Sequence, residues 1–318
     1  KWKIQLTTLY VLLTMSHDYD ILLAGGYFCD LIFTGLPELP RLGADIFGTG
    51  FDMVPGATFS TALALHRLGL RTGWACDFGD DFCSQFVLDA ARREGLDGSL
   101  FRLHQQPLRR ISVSFSFPHD RGFISYQDSF ASASIIPLIE RHRPRCLMLS
   151  HLHYGPELIP LAAAAHSNGG LVYMDCQARS ETLAHPEVVA AIRAVDMFAP
   201  NQAEALHLTG AATVEAALTQ LAALAPLVII KCGPDGAIAQ ADGRVARAGG
   251  LPIEVFDTTG AGDCFNAGFL YGYLRGESLE ICLRCGNICG GLSTTARGGA
   301  AAPSAAQLEE WLRRYPEP

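Results

Sequence analysis

The chain has 318 residues, enough for one large α/β domain, alone or with a small appendage. Apolar residues make up 49% of it, which supplies a sizeable core, and the net charge of −8 argues against a nucleic-acid-binding surface. The charge leaves room for an anionic substrate, because backbone N–H groups and a metal can hold phosphate in an acidic protein.

Residues 1–14 carry Lys1, Lys3 and a short apolar stretch, and no small-residue cleavage site follows. They read as an upstream extension or a disordered N-terminus, ahead of one domain over 15–318. Residues 21–24 form a buried strand closed by Gly25-Gly26, and Asp30 follows just past that turn. Residues 31–54 hold strand-like pieces at 31–34 and 46–54, broken by Pro37, Pro40 and several glycines. Pro55-Gly56 then leads into a helix over 57–68, stopped by Gly69. A strand at 72–76 and a helix at 80–94, ended by Gly95, come next. Residues 107–127 return to β structure, where Ile111, Val113, Phe115 and Phe117 alternate with serines before a turn at 119–122.

From residue 145 strands and helices alternate. Strands are expected at 146–150, 171–174, 196–199 and 227–231, and helices at 156–167, 186–194, from Asn201, and at 213–224. This alternation implies a parallel sheet covered on both faces. A hairpin at 236–247 and helices at 261–274, 277–296 and 304–314 complete the chain. No apolar run is long enough to span a membrane. The ten cysteines are scattered, which reads as free thiols in a reducing, cytoplasmic compartment. Cys282, Cys285 and Cys289 share one helix face. They are either a metal or cluster site or, far more commonly, small buried hydrophobes.

The most informative stretch is Asp257-Thr258-Thr259-Gly260-Ala261-Gly262-Asp263, expected after a strand near 253–256. An apolar segment of helical spacing follows it, so the turn opens a helix whose first N–H groups have no partner inside it. Glycines let a ligand approach those groups, and the positive helix end favours an anion. Asp263 at that mouth suits removal of a proton from a nucleophile attacking a bound phosphate. The plainer reading makes Asp263 a helix cap and the glycines a turn. Ligands of such sheets sit beyond the carboxyl ends of the strands. There, Asp30 and Gly56, the run Asn201-Gln202-Ala203-Glu204, and the run Lys231-Cys232-Gly233-Pro234-Asp235-Gly236 join the Asp257–Asp263 stretch on one edge. His151 and His153 point to the same edge, and Arg109 and Arg110 lie at the base of the 107–127 insertion. The absence of G-x-x-x-x-G-K-[ST], of G-x-G-x-x-G opening a helix, of H-E-x-x-H and of G-x-S-x-G excludes a P-loop and argues against dinucleotide, zinc-peptidase and hydrolase readings.

From about residue 18 to 314 the chain resembles the ribokinase-like (PfkB) carbohydrate kinases. The resemblance is carried by Asp257–Asp263 followed by Phe265-Asn266-Ala267-Gly268-Phe269, and by Pro55-Gly56-Ala57-Thr58-Phe59-Ser60 ending at Arg67-Leu68-Gly69. In the second signature Pro55 replaces a glycine and Ser60 an asparagine, at positions that touch the acceptor sugar in that family. The resemblance implies a three-layer α/β/α fold with a mostly parallel central sheet and a small β-sheet lid, formed by segments 31–54 and 107–127. It implies Asp263 as the base, and the N–H groups of Gly260, Ala261 and Gly262 as holders of the transferring phosphoryl group. Asp30, Gly56 and Ser60 would face the acceptor. Asn201, Lys231, Gly233, Gly236 and Asn287 would face the nucleotide. Glu204 would act on Mg²⁺ through water. Asp257, Thr259 and the Arg297-Gly298 loop lie where many members bind a monovalent cation such as K⁺.

The expectation is therefore a cytoplasmic ATP-dependent kinase that needs Mg²⁺, acts on a hydroxymethyl group of a sugar or related small polyol, and forms a homodimer through the lid. It is expected to bind neither nucleic acid nor membrane. A nucleoside kinase of the same fold and a nucleotide- or sugar-binding sensor without turnover are the alternatives.

Overall fold

In the computed structural model, residues 17–116, 121–177, 180–297 and 301–315 are described. Expectations for residues 1–14, for the turn at Phe117 to Asp120 and for Gly298 lie outside them. A nine-stranded sheet forms the centre. It comprises β1 (Ile21–Ala24), β4 (Thr72–Phe78), β5 (Phe101–Leu103), β8 (Cys146–Leu149), β9 (Leu171–Asp175), β10 (Met197–Ala199), β11 (Leu227–Lys231), β12 (Ala237–Ala241) and β13 (Arg244–Ala248). Their order is β13-β12-β11-β10-β9-β8-β1-β4-β5. The strands from β11 to β5 run parallel, and β12 and β13 add an antiparallel hairpin at one edge. A second sheet, β3-β2-β6-β7, comprises β2 (Tyr27–Thr34), β3 (Gly50–Ala57), β6 (Arg110–Ser116) and β7 (Arg121–Gln127).

The near-continuous apolar runs of the central strands follow from burial on both faces. Successive residues alternate between two cores: Ile21 and Leu23 point into one and Leu22 into the other, and Tyr173 opposes Val172 and Met174 in the same way. The first core is covered by α1 (Thr58–Arg67), α2 (Phe82–Glu94), α8 (Ala261–Tyr273), α9 (Leu279–Ser293) and α10 (Ala305–Arg314). The second is covered by α3 (Ile136–His142), α4 (Leu158–Ser167), α5 (Pro186–Arg193), α6 (Gln202–Thr209) and α7 (Val214–Ala222). Cys282, Cys285 and Cys289 are buried in the first core. Burial pushes the thiols of Cys282 and Cys285 up to about 12 and about 11, and no metal-holding cluster exists among the described residues. They pack as small hydrophobes. Among the described residues no helix is long and apolar enough to cross a membrane.

The structure departs from the sequence expectation at several points. Asp30 lies in the middle of β2 rather than just after a turn, and Pro55-Gly56 belongs to β3, which runs directly into α1. No strand precedes Asp257. Pro252 lacks an N–H, Val255 and Phe256 are exposed, and the N–H groups of Phe256 and Asp257 both donate to the Thr294 carbonyl, at 2.8 and 3.0 Å. Two elements are additional to those expected: β5, three residues paired with the end of β4, and α3, seven residues started by Pro137. Both are shorter than a periodicity window can detect.

Candidate active site

At the start of α8, Gly260 adopts a left-handed conformation (φ 78°), which glycine takes without strain. The Ala261 N–H turns back onto the Thr258 carbonyl at 3.2 Å, and the Cys264 N–H bonds the Gly260 carbonyl at 3.0 Å. Ala261 is thus occupied by the turn. Among the described residues the N–H groups of Gly260 and Gly262 have no acceptor and stay available for an anion. Asp263 does not cap the helix. Its carboxyl instead accepts from the Thr61 hydroxyl of α1 at 2.6 Å. Burial pushes this carboxyl up to about 6. The Thr61 hydrogen bond pulls against that, Asp175 pushes the same way, and the Lys231 ammonium pulls down.

Below this turn lies a buried polar cluster that the sequence pattern does not assemble. Lys231, at the end of β11, donates through Nζ to Asp175 Oδ1 at 2.5 Å and to Asn266 Oδ1 at 3.3 Å. Asn266 returns Nδ2 to Asp175 Oδ2 at 2.7 Å and accepts from the Tyr173 hydroxyl at 2.7 Å. The Lys231 and Asp175 side chains are only 11% and 9% exposed, so Lys231 is not a solvated strand-end cation. Burial acts to lower the Lys231 pKa, and Asp175, then Glu204 and Asp263, more than offset this and hold it above the ordinary value. A Cβ added to Gly262 would lie 3.6 Å from Lys231 Nζ, so the ammonium lies close to the start of α8. Asp175 carries a legible signal, an acid closing an apolar run on the ligand edge. Asn266 lies in the second half of the Asp257–Phe269 signature, but its partners are remote in sequence.

Asn201 and Glu204 form a reciprocal cap on α6. The Asn201 N–H donates to Glu204 Oε2 at 2.7 Å and the Glu204 N–H to Asn201 Oδ1 at 2.9 Å. The cap engages Oδ1 and leaves the Nδ2 donors of exposed Asn201 for a ligand. Gly233 (φ 60°) and Gly236 (φ 87°) shape the turn after β11, and a side chain on Gly236 would run into the backbone of Ala248 and Gly249. Asn287 Nδ2 fixes that same backbone, donating to the Ala248 and Gly249 carbonyls at 2.9 Å each. A cavity of about 430 Å³ opens there, lined by Gly249, Gly250, Arg284, Asn287 and Tyr315 among others. Asp257 Oδ1 accepts from the Thr259 N–H at 2.9 Å and from its hydroxyl at 2.7 Å.

On the second sheet Asp30 pairs in register with Val54 and Ser112, and its carboxylate lies over Gly56, where any Cβ would collide with it. Ser60 is buried in α1. Arg109 is bound to Asp128 through Nε and Nη2, both at 3.0 Å, and is exposed. Arg110, His151 and His153 line a cavity of about 420 Å³ at the carboxyl ends of β1, β4 and β8.

The architecture is that of ribokinases: the structure superposes on Arabidopsis thaliana ribokinase complexed with ribose and ATP with a TM-score of 0.77, over 93% of this chain and 99% of that one, at 20% identity. The fold and the relatives that the sequence matches define a phosphotransferase of the sugar-kinase class. The "pfkB family carbohydrate kinase" model matches residues 156–306. An acarbose 7(IV)-phosphotransferase from Actinoplanes sp. is 30% identical over 301 residues, covering 90% of this chain and 96% of that protein. A 2-dehydro-3-deoxygluconokinase from Bacillus subtilis is 28% identical over 264 residues, covering 76% and 81%. The chain belongs to the pfkB family of carbohydrate kinases.

Proposed function

We propose that this kinase moves the γ-phosphoryl group of ATP to a hydroxymethyl group of a sugar or related small polyol, with Asp263 as the base. One observation carries the reading. The Asp263 carboxyl, pushed up to about 6, is carried by the same helix turn as the acceptor-free N–H groups of Gly260 and Gly262, and the Lys231 ammonium lies close to Gly262 and acts on Asp263. Asp263 takes the proton of the acceptor hydroxyl as its oxygen bonds to the γ-phosphorus. The bond to the bridging oxygen breaks and ADP leaves, while Gly260, Gly262 and Lys231 hold the charge on the transferring group. Asn201 and the loop from Gly233 to Gly236 face the phosphates, and the cavity beside Asn287 suits the nucleoside.

Glu204 is a buried carboxylate whose charge reaches Lys231, as do those of Asp175 and Asp263, and no group of three or more acidic, histidine or cysteine residues that could hold a metal stands among the described residues. That donor set fits Mg²⁺, which keeps several waters and takes phosphate oxygens. When bound, Mg²⁺ neutralises charge on the β- and γ-phosphates. Asp257 and Thr259, joined on one turn behind the helix start, are the proposed monovalent-cation side of the site, with K⁺ as the ion. The second sheet is proposed as the lid, with Asp30, Gly56 and Ser60 on the acceptor side, closing to exclude water. Its exposed Phe51 on edge strand β3 and Phe123 and Ile124 on edge strand β7, with Phe33 of β2 beside Phe51, are proposed to meet a second copy in the cytoplasm.

ADP release over a panel of neutral sugars, sugar acids and nucleosides tests the activity. Release with at least one sugar-class acceptor, dependent on Mg²⁺, is expected. Silence across the panel overturns it. Light scattering at micromolar concentration tests the assembly, and a monomer mass removes it.

A further inference from the structure

The cavity beside Arg110 adjoins the transfer centre without belonging to it: neither Asp263 nor Lys231 lines it. Its wall includes Gly25 and Gly26. The Thr58 hydroxyl at the start of α1 donates to the Gly26 carbonyl at 2.7 Å, and Thr61, three residues on, donates to Asp263 at 2.6 Å. Three helical residues rise about 4.5 Å, so cavity and base are neighbours along one helix.

The charges of this cavity are unevenly used. Asp77 is held by Arg102 Nη2 at 2.7 Å and by His104 Nε2 at 2.8 Å. Arg102 also donates Nη1 to the Ala133 carbonyl at 3.1 Å, while its buried Nε–H has no acceptor among the described residues. Arg110 passes over Gly26, where any Cβ would strike its guanidinium, and lies over the Tyr27 ring with Cζ 5.5 Å from the centroid. Among the described residues no carboxylate pairs with it, in contrast to its neighbour Arg109. Glu157 stands exposed at the rim, and His151 and His153 line the cavity with rings 5.7 Å apart. A partly buried guanidinium without an anion is unusual, and its planar fork matches a carboxylate or a phosphate.

We propose that this cavity binds an anionic group of the acceptor, a carboxylate or a phosphate, through Arg110 with the Nε–H of Arg102, so that the enzyme acts on an acidic sugar. The inference rests on the kinase reading for its word "acceptor", but its test needs no turnover. Binding of gluconate, glucose phosphate and glucose is measured by calorimetry without nucleotide, on the wild type and on Arg110→Gln, Arg110→Lys and Arg109→Gln. At least one of the two anions is expected to bind ten-fold or more tighter than glucose, and which one does so identifies the group. Arg110→Gln should weaken that anion at least ten-fold, Arg110→Lys should recover part of the loss, and Arg109→Gln should stay within two-fold. Glucose binding as tightly as both anions, no binding of either anion, or anion binding unchanged in Arg110→Gln each overturns the proposal. If Arg110→Gln does not fold, the wild-type ranking of anion against glucose decides alone. ADP release plays no part, so failure here and failure of the kinase reading are separable.

Discussion

The buried cluster under α8 and the four-stranded sheet hold their polar groups in opposite ways. Tyr173, Asp175, Lys231 and Asn266 sit on two central strands and one helix, and each bonds another of the four. The second sheet turns Phe33, Phe51, Phe123 and Ile124 to solvent, and the 35–49 segment between β2 and β3 forms no regular element. Transfer chemistry demands fixed charges, because a preorganised site spends nothing on rearrangement at the moment of reaction. The proposed acceptor side lies on this sheet and the helix that continues from it, where Pro55 of β3 and Ser60, buried in α1, depart from the family pattern. Thr61, on the helix that continues from β3, bonds Asp263 at the start of α8.

The sharpest way to break this contrast is Asp263→Asn. Loss of a general base should lower kcat by about 10²–10⁴-fold with nucleotide binding within a few-fold. Wild-type-like turnover would remove Asp263 from the role of base. In the wild type, kcat/KM should fall ten-fold per pH unit below about 6. The stability sign is opposite to that of an ordinary ion-paired aspartate. The folded chain holds the Asp263 proton more tightly than the unfolded one, so this stabilisation is full below the ordinary aspartate value of 3.8 and is lost as pH rises through about 6. Asp263→Asn should therefore be more stable than wild type at pH 8, by on the order of 2–3 kcal/mol, read by denaturant titration. Thr61→Val removes a bond that lowers the Asp263 pKa, and should move the acid limb of kcat/KM upward.

Next in size is Lys231→Met. It strands Asp175 in a buried site and should cost about 3–5 kcal/mol of stability besides most of the activity. The double variant Lys231→Met, Asp175→Asn should recover much of the stability and little of the turnover. Additive losses would show that the two side chains do not act as a pair. On the other side, Gly56→Ala puts a Cβ where the Asp30 carboxylate lies. It should raise acceptor KM by roughly ten-fold, about 1.4 kcal/mol, and leave nucleotide KM within two-fold.

The architecture of the main sheet was legible because each strand is an unbroken apolar run followed by a helical period. The turn that opens α8 was legible because glycines, hydroxyls and carboxylates stand together in seven residues, although the Ala261 N–H expected to face an anion is taken up by that turn. What stayed hidden depends on residues distant in sequence: Thr61 reaches Asp263 across 202 positions and Asn266 reaches Asp175 across 91. Lys231 is a bare strand-end cation in the sequence, and only the sheet places Asp175 beside it. The 253–256 segment shows the reverse error. It looks like a strand, yet it makes no ladder, because Pro252 has no N–H to give and the exposed Val255 and Phe256 keep the segment at the surface.

The smallest effect belongs to Asn287, at the far end of the proposed nucleotide trough. Its Nδ2 donates to two carbonyls that close the turn after β13, and a side chain on Gly236 would strike the same backbone. Asn287 thus shapes the trough by holding its wall, whether or not it touches the nucleotide. Asn287→Ala removes two hydrogen bonds and should cost about 1–2 kcal/mol. Nucleotide KM should rise less than ten-fold, with acceptor KM unchanged, since the affected backbone lies at β13 and the proposed acceptor elements lie on β2, β3 and α1. An equal rise in both KM values would mean that the two regions are mechanically coupled through the sheet, and the contrast between a fixed transfer centre and the proposed acceptor side would have to be abandoned.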